Sequence, residues 1–522
     1  MRYTRRQLVK SAAYVIGAFS SAALLEACTS AAPTAAPTTA SAPQPTTPPK
    51  PTTAPAAATS APAPTAAGAA TTAPAGTAIT GVTPAAEAAG IVAPKAARGE
   101  LAPGTIVIAI SGGPEADAHT RLAAKFTEYT KGKIQVRVEE LPRGTPGTAK
   151  VLTTLQGQSD AWDVLSVTSD NFETWGEAGF MAPLKTFMAN PDLFNAQAYN
   201  LDDFPKALLD IPNVKGEQIG FPQEASTLMF FYRKDLLRKY GIQEPGPKGY
   251  SWEELLNNAL ALKPKLVADG QTDMFPLVFG VKPTGHASIQ AQNVIWSYGQ
   301  EIFDDKWNPQ LTTDKANAAM TMLTDFLFKH QVVSEGVTGY EYPEVLTALQ
   351  ENKAVMALQW NAAAPTVLDA AKSPAWGPDN TGFSVYPYGP GGPDQKRIRE
   401  SVWAVCVSSY SKQQEAAFSY LAWFTSKDVA RDYVLNGGGS SGRSSLLTDA
   451  SIVAKNPQYP AVLNGFNVLH LVPRITEWSY ISGSILDPDM STIWSKQTSV
   501  SDGLKKANDE INNYLKDQGV LS

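Results

Sequence analysis

The chain has 522 residues, enough for two or three domains, and its 43% hydrophobic against 18% charged content suits a globular protein with sizeable cores. Its 43 basic and 49 acidic residues leave a net charge of -6, and no Lys/Arg cluster interleaved with aromatics appears, so the footprint of a nucleic-acid binder is excluded. Two cysteines, Cys28 and Cys406, and four scattered histidines offer neither Cys-x-x-Cys nor paired-His spacing, so no metal and no cofactor is expected.

The N-terminus reads as an export signal over residues 1–28. Arg5-Arg6 and Lys10 precede an apolar run from Ala12 to Leu25 that is short for a membrane span. The paired arginines resemble the twin-arginine type. Leu24-Leu25-Glu26-Ala27-Cys28 resembles a bacterial lipobox, with Glu26 departing from the small or apolar residue usual there. Acylation of Cys28 would anchor the chain to the outer side of the cell membrane. Residues 29–103 are Ala, Pro and Thr with almost no charge or aromatic content, a composition that predicts a disordered, semi-rigid tether.

Folded sequence is expected from residue 104. Thr105–Ile110 is a short apolar strand, Glu115–Thr130 carries Leu122, Ala123, Phe126 and Tyr129 on one helical face, and Ile134–Glu139 alternates as a second strand. A strand-helix-strand unit of this kind predicts a parallel sheet. Ser111-Gly112-Gly113 lacks the spacing of a dinucleotide fingerprint. Trp162–Val167 is a third strand, and Thr168-Ser169-Asp170-Asn171 follows at its C-terminal end, the edge where open sheets bind ligands. Gln218–Pro222 approaches a bend, Leu228–Tyr232 is a buried strand, and Gly241 ends the helix after it. Ser251 with Glu254 forms a capping box that opens another helix.

Further helices are predicted near Ser288–Tyr298, over Thr313–His330 and from Pro343. A strand over Asn352–Trp360 follows, with Asn352 suited to a left-handed helix end. Ser401–Val407 reads as a strand and holds Cys406 as a small core residue. Helices over Lys412–Thr425 and Val429–Leu435 precede the glycine-rich Asn436–Arg443. An amphipathic helix over Gly503–Leu515 closes the chain.

Tyr232-Arg233-Lys234-Asp235-Leu236-Leu237, Lys239-Tyr240-Gly241-Ile242 and Ser251-Trp252-Glu253-Glu254-Leu255 together resemble the extracellular solute-binding proteins of family 1, the sugar-capturing partners of ABC importers. The likeness continues through Gly179–Leu184, Trp296–Asp304, Asn352–Trp360, Lys412–Phe424 and the terminal helix. Gln300 and Asn352 stand where the family usually has glycine, and the proline usual before Arg443 is missing. The resemblance implies an α/β, two-lobe, type II periplasmic-binding fold with mixed sheets flanked by helices and three hinge crossings. It implies a first lobe from 104–222 and 386–436, and a second from 223–385 and 437–522. The crossings are expected at Phe221–Glu224, Gly382–Pro387 and Asn436–Arg443.

It also implies a monomer that captures a mono- to oligosaccharide in the interlobe cleft and delivers it to ABC permease subunits. Sugars need flat rings to stack on and planar polar groups to bridge hydroxyls. Trp296, Trp360 and Trp403 are candidate platforms, with core packing as the alternative for each. Glu115, Asp170, Asn171, Glu224, Asn361 and Arg443 are candidate polar contacts, with helix capping or loop-ordering ion pairs as alternatives. Non-sugar solutes such as a polyamine, peptide or phosphorylated polyol remain open. Gly438-Gly439-Ser440-Ser441-Gly442, with Asp449 and His470 downstream, formally matches a hydrolase elbow, but a helix rather than a strand precedes it, so no enzyme is expected.

Overall fold

The computed structural model describes residues 93–522; the export signal, Cys28 and the Ala/Pro/Thr-rich segment up to residue 92 lie outside the described residues. The end of the expected tether is folded. Lys95–Arg98 forms a helical turn, Ala96 and Leu101 are buried, and Arg98 pairs with Glu100 and Asp192 at 2.8 and 2.9 Å. Two apolar side chains suffice to dock this end, a detail that composition averaged over residues 29–103 hides.

The first strands and helix form as periodicity predicts: β1 (Gly104–Ser111), α1 (Pro114–Tyr129), β2 (Ile134–Leu141) and β3 (Val164–Thr168), with β1 parallel to both other strands. β4 (Gly220–Ser226) and β5 (Leu228–Arg233) follow, separated by Thr227 alone. Then come α2 (Trp252–Ala268), β6 (Phe275–Val278), α3 (His286–Ser297), α4 (Asp314–Phe328), α5 (Tyr342–Gln350), β7 (Ala354–Trp360) and β8 (Thr381–Val385). The Ser251 capping box is present, with Ser251 Oγ accepting from Glu254 N at 3.1 Å and Glu254 Oε2 from Ser251 N at 2.7 Å. Asn352 adopts φ 57°, the left-handed helix end read from its position. The chain finishes with β9 (Ile398–Arg399), β10 (Ser401–Val407), α6 (Gln414–Phe424), α7 (Lys427–Leu435), α8 (Tyr459–Phe466), β11 (Leu469–His470), α9 (Asp487–Trp494) and α10 (Val500–Asp517).

Two sheets define two lobes. The first has the order β2-β1-β3-β10-β4, with β10 antiparallel to β3 and β4; the second has the order β8-β5-β7-β6, with β5 antiparallel to β8 and β7. Every residue of β4, β5 and β7 is buried, as strands covered by helices on both faces should be. β6 escapes periodicity because it has four residues and contains Pro276; it sits at the sheet edge, where a missing N–H is tolerated. The helices α9 and α10 pack on α3 and α4 of the second lobe, and α8 packs on β5 and β8.

The crossings differ from the expected positions. Phe221–Glu224 lie within β4, and the chain changes sheets one turn of backbone later, at Thr227. Gly382–Val385 belong to β8 in the second sheet, so the return follows them. Asn436–Arg443 stays on the first lobe: Ser441 bridges Glu224, and the passage to α8 comes after it. Apolar runs locate strands, but which end of a strand leaves the sheet is decided by ladder partners distant in sequence.

Cys406 is buried in β10 opposite Gly220, where a Cβ would stand 2.6 Å from Cys406 Sγ and 2.9 Å from Val405 O. Gly220→Ala should therefore cost about 1–3 kcal/mol, the range for overpacking a filled core. Urea denaturation followed by circular dichroism measures it.

Candidate ligand cleft

The C-terminal edge of the first sheet and the crossing bring polar and aromatic groups together. The β10–β4 ladder slips at Trp403/Ala404, so Trp403 opposes Glu224, Ala404 opposes Pro222, and Gln223 is the extra residue. Across the crossing, Trp360 opposes Leu228. Trp403 and Trp360 thus flank Thr227, with Glu224 and Leu228 four residues apart, about 13 Å of extended chain. Trp403 is half-buried, whereas Trp360 is nearly covered and its Nε1 donates to His286 Nε2 at 3.4 Å.

Glu115 and Glu224 supply the acidic character of the first lobe. Glu115 is 4% exposed; its Oε2 has no hydrogen-bond partner, and the nearest cation is Arg143, with Nη1 at 3.6 Å. Glu224 is fully buried: Tyr433 OH donates to Oε2 at 2.8 Å, and Oε1 has no partner. Burial, then the charge of Glu115, pushes the Glu224 carboxyl well above the usual carboxylate range. From the second lobe, His286 is neutral, its pKa lowered to about 4 by burial and then by the positive charge of Arg143, and its Nδ1 is also unpartnered. Arg143 sits over the Tyr342 ring, 5.7 Å from its centroid, which joins the two lobes directly. Burial of the Tyr342 phenol, then the charge of Glu115, raises its pKa.

Asp170 and Asn171, at the end of β3, bond toward the other lobe's C-terminal segment. Asp170 Oδ1 accepts from Arg399 Nη2 and, at 3.0 Å, from Trp478 Nε1. Asn171 Oδ1 accepts from Ser479 Oγ at 2.9 Å. Arg399 Nε and Asn293 Nδ2 are buried without a partner. A π-helix over Ile481–Leu486 follows Trp478 directly, a distortion common where a helix borders a functional site.

Three candidates read from the sequence have other duties. Arg443 is fully buried; its guanidinium donates to the carbonyls of Thr425 (2.8 Å), Tyr199 (3.0 Å) and Asn200 (3.2 Å), pairs with Asp203 at 3.3 Å, and lies between the rings of Tyr199 and Phe204. Four contacts to the protein fix the guanidinium, so it orders a loop rather than forking hydroxyls. Asn361 staples the crossing: Oδ1 accepts from Thr227 N (2.8 Å) and Ser226 Oγ (2.9 Å), and Nδ2 donates to Ser440 Oγ at 2.8 Å. Trp296 is 1% exposed and stacks flat on His470 at 4.0 Å, so it packs against the β9–β11 pair rather than opening to the cleft. The formal hydrolase elbow is not assembled. Ser440 Oγ donates to Ala225 O, Asp449 pairs with Arg431, and His470 Nε2 faces Glu301.

Arg143, His286, Tyr342, Arg399 and Trp478 escaped sequence reading. None lies in a motif, and only their position at element ends, Arg143 two residues past β2 and Tyr342 at the start of α5, could have drawn attention.

Two measurements follow from this geometry. Asn361→Ala leaves Thr227 N–H without its side-chain acceptor inside the protein and should cost about 1–3 kcal/mol in urea denaturation. Glu400, beside the crossing, accepts from Val472 N at 2.8 Å, and burial raises its pKa to about 8. The folded state therefore holds a proton that the unfolded chain releases near the ordinary glutamate value of 4.5, so this group's stabilising contribution is full below pH 4.5 and fades as pH rises to about 8. Glu400→Gln should remove that decline, its stability advantage over the natural protein growing between those pH values.

Known proteins share this architecture. A probable amino-acid ABC transporter periplasmic-binding protein of Sinorhizobium fredii is 27% identical over 51% of this chain and 57% of its own length. The mannitol-binding protein of Pseudomonas aeruginosa is 22% identical over 53% and 59%. The chain thus spans somewhat over half the length of these curated relatives. The maltose-bound MalE3 of T. maritima superposes with a TM-score of 0.70 at 23% identity, covering 79% of this chain and 100% of its own, a likeness of fold in the two-lobe type II class. The model of the bacterial extracellular solute-binding protein family matches residues 112–431, and the chain belongs to that family.

Proposed function

We propose that this protein captures a neutral carbohydrate, from a monosaccharide or polyol to an oligosaccharide, between its lobes and delivers it to the permease subunits of an ABC importer. The observation that carries the reading is the set of buried polar atoms without partners: Glu115 Oε2 and Glu224 Oε1 from the first lobe, His286 Nδ1 from the second. Burying such atoms unpaired costs free energy, and a ligand rich in hydroxyls supplies both donors and acceptors. Trp403 and Trp360 stand beside them as surfaces for sugar C–H faces. Ligand contacts from both lobes exist only with the cleft shut, so binding favours the closed population that a permease reads. The maltose-bound neighbour and the mannitol-binding relative support this chemistry.

The same reading includes export by the N-terminal signal, acylation at Cys28, and function as an extracytoplasmic, membrane-tethered monomer with residues 29–92 as spacer. It assigns ligand contacts to Glu115, Glu224, Trp360 and Trp403, with Asp170 and Asn171 at the rim, and no covalent chemistry.

A second reading, capture of an amino acid, has one observation in its favour. Arg143 beside Glu115 offers opposite charges to a zwitterion, and the Sinorhizobium relative carries an amino-acid name. Thermal shift with D-mannitol, ribitol, maltose, amino acids and spermidine separates the two. A sugar or polyol should raise Tm in a concentration-dependent way, as mass action requires for a ligand of the folded state. A flat sugar response with a shift on an amino acid or spermidine overturns the carbohydrate assignment.

A further inference from the structure

We propose that Arg143 and Tyr342 form a retention latch at the mouth of the cleft, whose breaking sets how fast a captured ligand leaves. The inference rests on the capture reading for its consequence, but the latch itself stands on the geometry of the two lobes.

The sheet order places this contact as far from the crossing as the first lobe allows. β4 and β10, which lead to and from the second lobe, lie side by side at one edge, and β2 is at the other. At about 4.8 Å per strand, β2 is ~19 Å from β4. Arg143 follows β2 by two residues. On the facing lobe, Thr284 lies in the loop after the edge strand β6, and Tyr342 opens α5. The lips touch there: a Cβ on Gly144 would stand 2.9 Å from Thr284 O. A hinge rotation of roughly 20° moves a point at that radius by about 7 Å. A ring contact of 5.7 Å does not survive such a swing, whereas contacts beside Thr227 hardly move.

Both partners are held in place before they meet. Arg143 Nη1 donates to Gly112 O at 2.6 Å and faces Glu115 Oε2 at 3.6 Å, and the guanidinium passes so close over Gly113 that a Cβ there would collide with Nη1. Tyr342 is fixed by a Glu341/Glu344 capping box at the start of α5, by Gln359 Nε2 donating to its carbonyl at 2.9 Å, and by Thr284 Oγ1 donating to Glu341 Oε2 at 3.0 Å. A planar guanidinium over an aromatic face then closes the gap with little further ordering, and the pair also joins the acidic floor of the cleft to its lid.

The test uses the full chain with spin labels carried by non-natural residues at the exposed positions Lys133 and Gln271, one on each lobe. Arg143→Ala, Tyr342→Ala, Tyr342→Phe and the double alanine variant are compared without ligand and with D-mannitol or maltose. Each single alanine change should lengthen the interlobe distance and speed dissociation of a bound sugar about tenfold, a size within reach of one half-buried cation–π contact. The double variant should go no further than the singles, because both remove the same contact. Tyr342→Phe, which keeps the ring, should behave as the natural protein. Dissociation within twofold of the natural protein in both alanine variants, or additive effects, overturns the latch. If neither sugar binds, the carbohydrate reading fails while the ligand-free distances still decide this one: lengthening in the alanine variants but not in Tyr342→Phe upholds it, and unchanged distances sink it.

Discussion

The two lobes depend on a one-residue junction. β4 and β5 are consecutive strands in different sheets, and Thr227 alone stands between them, its N–H held by the Asn361 carboxamide and its carbonyl accepting from Asn361 N at 3.0 Å. A junction this short leaves little freedom to translate one lobe against the other, so rotation about it is the motion that the covalent structure permits. Asn361 follows β7, and through Ser440 it also ties in the glycine-rich loop before α8, so three separate stretches of chain meet at one side chain.

Everything placed around that junction inherits its geometry. The bulge at Trp403 brings an indole opposite Glu224, and the first residue of β5 pairs with Trp360. Glu115 and Glu224 of the first lobe and His286 of the second carry polar atoms shut off from water. Each keeps hydrogen-bonding capacity unmet by protein, and burial disfavours the charged forms of Glu224 and His286. Such a region is costly when empty and well matched to a neutral ligand with many hydroxyls. The same exclusion of water raises the pKa of Glu400, against the opposing charge of Arg399.

Much of the chain's layout was legible from residue pattern. Helical spacing located α1, α4 and α10, the Ser251–Glu254 capping box marked the start of α2, and Asn352 announced its left-handed turn. These are local effects, set within four or five residues. Glu115 and Glu224 stood out in the sequence as carboxylates on segments expected to border the cleft, although Glu224 lies inside β4. Arg443 and Asn361 looked equally suited to a ligand. Their side chains are instead engaged by backbone and side-chain groups up to 244 positions away in the chain, which no local pattern announces.

The sequence by itself determined the long helices and central strands, the family, and the set of candidate polar and aromatic residues, since periodicity and capping are written in nearest neighbours. Only the tertiary structure decided where the chain changes lobes, which of those candidates keep a polar atom without a partner, and that Arg143 meets Tyr342. Those outcomes rest on ladder register and on contacts between segments some 200 residues apart, where a shift of one position sends a side chain to the opposite face.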